Sequence, residues 1–281
     1  MSFKALGVFR ELQNSPGRES DDALILKEVL EQLEVLGVKT TAVTPEELDG
    51  LPLSGYDVVI PMCEAPARIA RLDAEARRGA AALWVNPPSA VLACYRTAMV
   101  PRLAAEPGVV QPVAEVRETA GGPGPAPEFP APHGWWAKRG DVHNTCDRDV
   151  VRVPAWGDAP AVLADFASRG IRHWVLQAHV PGDLVKFYGV GPGRWFTWFY
   201  HDPVRARRTP FDLDALAEQA ARGARALGLE VFGGDAIIRE DGSPAVIDLN
   251  SWPSFARVRR GAAVQISWHL QRRLKALTRT P

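Results

Sequence analysis

Through residues 1–90, short apolar runs alternate with stretches of helical spacing. Phe3 to Phe9 is one such run and reads as a strand. A loop with Asn, Pro and Gly follows over Glu11 to Glu19. Ser20-Asp21-Asp22 then offers a helix start, with acids at the positive end of the helix dipole. Leu26, Val29, Leu30 and Leu33 recur at helical spacing, and Gly37 is placed to end that helix. Val38 to Val43, Tyr56 to Met62 and Leu83 to Val85 read as further strands, with a helix over Glu64 to Gly79. Strands alternating with helices imply a parallel sheet and an α/β domain. Ligand sites in such sheets gather beyond the carboxyl ends of the strands. The loops after Phe9 and Met62 are therefore expected to face a substrate, with Arg18 as a candidate contact.

The pattern then changes. Ser89 to Ala105 reads as one helix and Gln111 to Val116 as a strand. Glu118 to Gly134 is too rich in Gly and Pro for a regular element and reads as a surface loop. Trp135 to Lys138 is a strand that leads into the polar loop Arg139 to Asp149. Val150 to Val153 is a strand, Pro160 to Arg169 a helix stopped by Gly170, and His173 to Val180 a strand. From Asp183 an antiparallel pattern is expected, with Leu184 to Val190 and Trp195 to Tyr200 joined by a Gly-Pro-Gly turn. Thr209-Pro210 is expected to open a helix with apolar positions from Leu213 to Leu227, ended by Gly228. A hairpin follows, Phe232 to Ile238 and Ala245 to Leu249 around the turn residues Glu240 to Ser243. A basic helix from Arg260 to Arg279 closes the chain.

The 281 residues carry 33 basic and 33 acidic side chains, a formal net charge of zero. That balance argues against a dedicated nucleic-acid binder or a membrane-surface protein. No long apolar run and no signal-peptide pattern is visible, so a soluble cytoplasmic protein is expected. Cys63, Cys94 and Cys146 are few, odd in number and far apart, which argues against structural zinc and against a disulfide framework. Cys146, in the polar loop, is the thiol to watch for reactivity.

The hairpin holds the strongest chemical signal. Side chains alternate faces along a strand, so Asp248 and Asn250 share a face, and Asp235 comes level with them across the ladder. Burying unpaired carboxylates is costly, and a cation is the simplest compensation. Two carboxylates and an amide oxygen suit Mg²⁺, most usefully where it bridges nucleotide phosphates.

In this order and at these separations, four segments resemble the ATP-grasp superfamily: WWAK ending at Lys138, LQAHV ending at Val180, Pro181-Gly182-Asp183 with VKFYGVG, and GGDAII followed by VIDLNSWPSF. The resemblance implies an N-terminal parallel-sheet domain over 1–90, a central subdomain over 91–180 and a C-terminal subdomain over 181–281, the last two clamping ATP. It implies that Lys138 touches ATP phosphates and that the backbone near Gln177, His179 and Val180 meets the adenine edge. Asp183 would bind the ribose hydroxyls, and Lys186 would sit near the γ-phosphate or the acceptor. Asp235, Asp248 and Asn250 would hold Mg²⁺. Many members carry a lysine in the helix that opens the central subdomain; here Arg96 is the best stand-in, with Arg102 as an alternative. The loop after Lys138 offers Arg139, His143 and Asn144 in place of small residues.

Two reactions follow from the resemblance. One is an ADP-forming carboxylate–amine ligase working through an acyl phosphate, like glutathione synthetase and the ribosomal-protein glutamate ligases. Its acceptor would be a small molecule or a peptide. The alternative is a small-molecule kinase like the inositol trisphosphate kinases, whose pattern after Asp-x-Asn is similar to Asn250 to Phe255. Lys186, Arg257 and His143 are the catalytic candidates in either case. Arg205, Arg207, Arg208, Arg259 and Arg260 would crowd the site of a polyphosphate acceptor. The ligase is favoured; a non-catalytic nucleotide-binding protein is a third reading, and a homo-oligomer is compatible with the family.

Overall fold

The computed structural model describes residues 3–14, 17 and 19–277. Arg18 and the last residues of the expected closing helix, including Arg279, lie outside the described residues. Three four-stranded sheets make up the fold.

The first sheet is parallel, with β1 (Lys4–Val8), β2 (Lys39–Val43), β3 (Val58–Pro61) and β4 (Leu83–Trp84) in the order β2-β1-β3-β4. Helices α1 (Glu19–Val35) and α2 (Pro66–Arg77) cover its two faces. Ala5, Val58 and Ile60 pack with Ile25, Val29 and Leu33 of α1. Leu6, Val8 and Val59 pack with Ile69 and Leu72 of α2. A strand buried on both faces is apolar throughout, which is why these runs were legible. Gly7 lets α1 approach closely: a Cβ there would lie 2.9 Å from a Leu30 methyl carbon.

The expected single helix over Ser89 to Ala105 is two helices, α3 (Pro88–Ala93) and α4 (Arg96–Ala105). The break falls at Tyr95, whose backbone is extended (ψ 131°). From there the buried phenol donates to the Glu64 carbonyl at 2.8 Å. Tertiary contact outweighs helix propensity here. The break also makes Arg96 the first residue of a new helix.

The second sheet is antiparallel, in the order β5-β8-β6-β7, from β5 (Ala114–Glu118), β6 (Trp135–Arg139), β7 (Val150–Val153) and β8 (His173–Ala178). Phe166 and Leu163 of α5 (Ala159–Ser168) pack on Ala137, Trp174 and Leu176 of this sheet. The third sheet, order β10-β9-β11-β12, is also antiparallel, from β9 (Asp183–Val190), β10 (Trp195–Tyr200), β11 (Val231–Ile238) and β12 (Pro244–Ser251). One face packs on α6 (Leu213–Leu227) through Val185, Phe187, Ala236, Val246 and Leu249. The expected opening of α6 at Thr209-Pro210 is not found. Asp212 caps the helix, accepting from the Ala215 N–H at 3.1 Å, and Gly228 ends it with φ +76°.

The closing helix α7 (Arg259–Leu277) packs on α1, with Ala263, Ile266 and Leu270 against the core of the first sheet. Two buried side chains tie the first sheet to the third. Asn86 donates to Val231 O (2.6 Å) and accepts from the N–H groups of Glu230 (2.7 Å) and Val231 (2.9 Å), while the Trp252 indole donates to Val85 O at 2.9 Å. Among the described residues, no helix is long and apolar enough to cross a membrane.

Candidate active site

Lys186, Asp235 and Asp248 stand directly opposite one another on β9, β11 and β12. The next row two residues away is Tyr188, Gly233 and Asn250. By strand alternation both rows face away from α6, toward the second sheet. Gly233 keeps room for the loop beyond Asn250, since a Cβ there would lie 2.7 Å from Pro253 Cγ. In that loop Trp252 and Phe255 hold left-handed backbones (φ +44° and +50°) while fully buried. Such conformations cost about 1–3 kcal/mol each and persist where the surroundings over-determine them.

The two carboxylates of the row are each held by a cation. Lys186 Nζ lies 2.7 Å from Asp235 Oδ1, and Arg96 Nη2 lies 2.6 Å from Asp248 Oδ2. Arg96 Nη1 also donates to Arg139 O (3.0 Å) and Asn144 Oδ1 (2.8 Å), fastening the loop after β6 to the start of α4. Lys138 is buried on β6 and donates to Gln177 Oε1 at 2.6 Å. Burial, with Arg96 adding to it, pulls the Lys138 ammonium down to about 8. Burial pushes the Asp248 carboxyl up, but Arg96 and Lys138 more than reverse this and hold it below the usual carboxylate range.

A cavity of about 450 Å³ opens between the second and third sheets, with Arg96, Lys138, Lys186, Asp235 and Asp248 at one end. Trp136, Val150, Leu184, Ile237 and Ile247 form its apolar walls. A flat base between such walls, with its phosphates among the cations, suits these dimensions. Gln177, His179 and Val180 all line this cavity, but their backbones are not equivalent. Gln177 pairs with Ala114 and Trp136 on its two sides, so its contribution is the side chain that orients Lys138. The His179 N–H already donates to Gly134 O (2.9 Å), and its ring Nδ1 accepts from the Trp136 indole N–H at 3.0 Å. Burial, then Arg152 and His133, lowers the His179 imidazolium below its ordinary range. The Val180 N–H makes no hydrogen bond among the described residues.

Asp183 is a correction. The resemblance implies a ribose contact, but its buried carboxylate accepts from the N–H groups of Arg207 (2.7 Å) and Thr209 (3.0 Å) and lines neither cavity described here. It stands three positions before Lys186 on one strand, with two residues between them, so the two point to opposite faces. Asp183 anchors the loop before α6, and this also keeps Thr209-Pro210 out of the helix.

A second, more polar cavity of about 540 Å³ shares Arg96, Asn144, Lys186, Asp235 and Asp248 with the first and runs on toward the first sheet. Asn250 lines it from the end of β12, Ser254 from the loop after β12, and His143 from the loop after β6. His143 Nε2 is buried without a hydrogen-bond partner, 3.8 Å from Glu64 Oε1. Arg10, Asp22 and Glu64 close the far end. None of these three was among the candidates from sequence. Arg10 and Glu64 lie just past the carboxyl ends of β1 and β3, where the parallel-sheet rule points.

Arg257 is a second correction. It is exposed, its guanidinium stacks over the Phe199 ring at 4.4 Å, and it lines neither cavity. The neighbouring arginines are likewise elsewhere. Arg205 faces Asp202 (3.5 Å), Arg207 faces Glu240 (2.6 Å) and Arg259 pairs with Asp21; Arg208 and Arg260 line neither cavity.

Among the described residues no group of three or more His, Cys, Asp and Glu side chains is arranged to hold a metal ion. Asp235, Asp248 and Asn250 offer two carboxylates and one amide oxygen. That donor set fits Mg²⁺, which takes one or two carboxylates and completes its shell with phosphates and water.

No protein-family model matches the sequence, and no curated protein matches it. Solved structures match over nearly the whole chain. A D-cycloserine synthetase superposes with a TM-score of 0.67 at 17% identity, covering 96% of this chain and 99% of that one. A RimK domain ATP-grasp protein from Sphaerobacter thermophilus gives 0.68 at 18% identity, covering 95% and 99%. The D-alanine–D-alanine ligase from Bacillus anthracis, in complex with ATP, gives 0.66 at 10% identity, covering 99% and 98%. The chain has the ATP-grasp fold, with a parallel sheet followed by two antiparallel sheets.

Proposed function

We propose that the protein is an ATP- and Mg²⁺-dependent carboxylate–amine ligase that releases ADP and phosphate. One observation carries this reading: the Lys186–Asp235–Asp248 row, with Arg96 and Lys138 above it, stands where an apolar, nucleotide-sized cavity meets a polar one. The ATP-grasp fold shared with a ligase and a synthetase supports it.

In this reading the base lies between Trp136, Leu184 and Ile247, with the Val180 N–H at its edge. Lys138, Arg96 and Lys186 neutralise phosphate charge, and Asp235, Asp248 and Asn250 hold Mg²⁺. The ion would supply charge neutralisation across the phosphates. Phosphoryl transfer depends mostly on such positioning and electrostatics. A substrate carboxylate oxygen attacks the γ-phosphorus and ADP leaves. An amine then attacks the acyl carbon, the C–O bond to phosphate breaks, and phosphate leaves. The amine's surplus proton needs an acceptor, and His143 Nε2, buried and unpartnered in the polar cavity, is the group at hand.

The polar cavity supports a ligase over a kinase acting on a polyphosphate. Such an acceptor needs several free cations. Among the described residues the far end has one guanidinium, Arg10, and it is already engaged by Asp22 and Glu64. The test is product mass after incubation with Mg²⁺-ATP and a fractionated metabolite extract, with Asp248→Ala as control. A condensed product with ADP and free phosphate is expected; an Asp248-dependent product that keeps an added phosphoryl group would overturn the reading.

A further inference from the structure

An edge strand leaves a row of backbone N–H and C=O groups open to any other strand, and folded proteins guard such edges. Among the described residues the edges of the three sheets are guarded in different ways. β4 has only 2 residues, β2 opens with Lys39, β5 carries Glu115, Arg117 and Glu118, and β7 carries Arg152. β12 is covered: the Val246 N–H donates to Val110 O (2.8 Å) and the Leu249 N–H to Met99 Sδ (3.4 Å). β10 has none of these devices. Its sequence, Trp-Phe-Thr-Trp-Phe-Tyr, holds no charge and no proline, and its pairing with β9 runs without a bulge. Every residue of it is partly exposed.

β10 pairs with β9 on one side and with no strand on the other. The His201 N–H donates to Leu184 O at 2.9 Å, which sets the parity of the ladder. Trp195, Thr197 and Phe199 therefore turn their backbone groups to β9, and Phe196, Trp198 and Tyr200 turn theirs outward. The outward N–H groups make no hydrogen bond among the described residues. The side chains of Phe196, Trp198 and Tyr200 lie on the α6 face of the sheet. The two ends of the strand carry opposite charge. Arg194 precedes it, exposed and without an ion pair among the described residues. Asp202 follows it with its side chain 45% exposed, and its one ion pair among the described residues is a 3.5 Å approach to Arg205, itself 89% exposed.

We propose that β10 is the contact between two copies of this chain, each strand running antiparallel to the other across a two-fold axis at Trp198. Outward positions then face outward positions: Trp198 meets the partner's Trp198, Phe196 the partner's Tyr200, and Arg194 the partner's Asp202. Each strand's donors meet the other's acceptors, and the aromatic side chains form cross-strand pairs on the α6 face. Registers shifted along the strand with the same parity keep hydrogen bonds, but they separate Arg194 from Asp202. A second copy fits this edge because the strand is its own complement, in backbone groups and in the charge of its ends. The contact is independent of the ligase reading.

The test is sedimentation equilibrium of the full chain at concentrations up to about 100 µM, where a dimer is expected. Arg194→Asp sets like charges against each other at both ends of the contact. It should raise the dimer dissociation constant by about tenfold or more and leave the circular dichroism of dilute protein unchanged. Register is read by disulfide cross-linking with copper phenanthroline in air, in a Cys146→Ser background that removes the exposed native thiol. Paired Trp198 Cα atoms lie about 5.5 Å apart in this arrangement, within disulfide reach, whereas paired Phe196 Cα atoms lie about 14 Å apart. Trp198→Cys should form an inter-chain disulfide, and Phe196→Cys should not. If Trp198→Cys loses its fold, the Arg194→Asp shift decides alone. A monomer across the whole range, a dimer indifferent to Arg194→Asp, or a disulfide at position 196 and none at 198 would each overturn the proposal.

Discussion

Arg96 donates to the Asp248 carboxylate at 2.6 Å, so the cation proposed to meet phosphate and the anion proposed to hold Mg²⁺ neutralise each other before either ligand arrives. Lys186 and Asp235 do the same at 2.7 Å. Mg²⁺ alone must displace both cations without giving them a new partner, whereas Mg²⁺ with ATP supplies phosphates to receive them. The metal is therefore expected to bind poorly without nucleotide. Arg96→Ala leaves Asp248 without the guanidinium that donates to it and should tighten Mn²⁺ binding in the absence of ATP by about tenfold, read by electron paramagnetic resonance. The same variant should turn over ATP far more slowly. A variant that loses activity without any gain in metal-only affinity would contradict this exchange of partners.

Lys138 predicts the pH dependence. Its ammonium loses its proton near pH 8 in the free enzyme, chiefly through burial, and only the charged form neutralises phosphate. The kcat/KM for ATP should fall as pH rises through about 8. Bound phosphates favour the charged lysine, so the fall in kcat should lie at higher pH. In Lys138→Arg the guanidinium stays protonated, and the alkaline limb of kcat/KM should disappear. A limb that stays in place in this variant would assign it to another group.

Asp183 is expected to behave as an anchor for the 201–211 loop. Replacing it with Ala strands the N–H groups of Arg207 and Thr209 and should cost on the order of 2–4 kcal/mol in thermal unfolding. The preference for ATP over 2′-deoxy-ATP should be the same in Asp183→Asn as in the wild type. A preference that vanishes in this variant would restore the ribose role.

Arg257→Ala should leave kcat/KM within about twofold, as expected for an exposed residue that lines neither cavity. Arg10→Ala should be far more damaging, because it leaves Asp22 and Glu64 buried without their shared cation. Circular dichroism at the assay temperature separates loss of fold from loss of activity in the second variant.

These contrasts trace what local pattern can reveal. Strand alternation alone brings Asp248 and Asn250 to one face, and hairpin pairing sets Asp235 beside them. The same rule, applied to the odd spacing between Asp183 and Lys186, turns Asp183 away from the cleft. The parallel-sheet rule marks the loop that holds Arg10, but not the residue itself: its partners, Asp22, Met62, Glu64, Ser251 and Trp252, come from three separate segments. The helix break at Tyr95 was equally hidden, since neither Gly nor Pro marks it and its cause is the distant Glu64 carbonyl. Arg257 sits in a promising sequence context, but its guanidinium finds the Phe199 ring instead.

The most direct test of the ligase claim follows the oxygen atoms of the substrate carboxylate. With that carboxylate labelled in ¹⁸O, attack on the γ-phosphorus followed by amine displacement carries one labelled oxygen into the released phosphate. Mass spectrometry of the phosphate should show one ¹⁸O per turnover in the wild type, and no phosphate release with Asp248→Ala. Unlabelled phosphate, with both labelled oxygens retained in the product, would contradict the account.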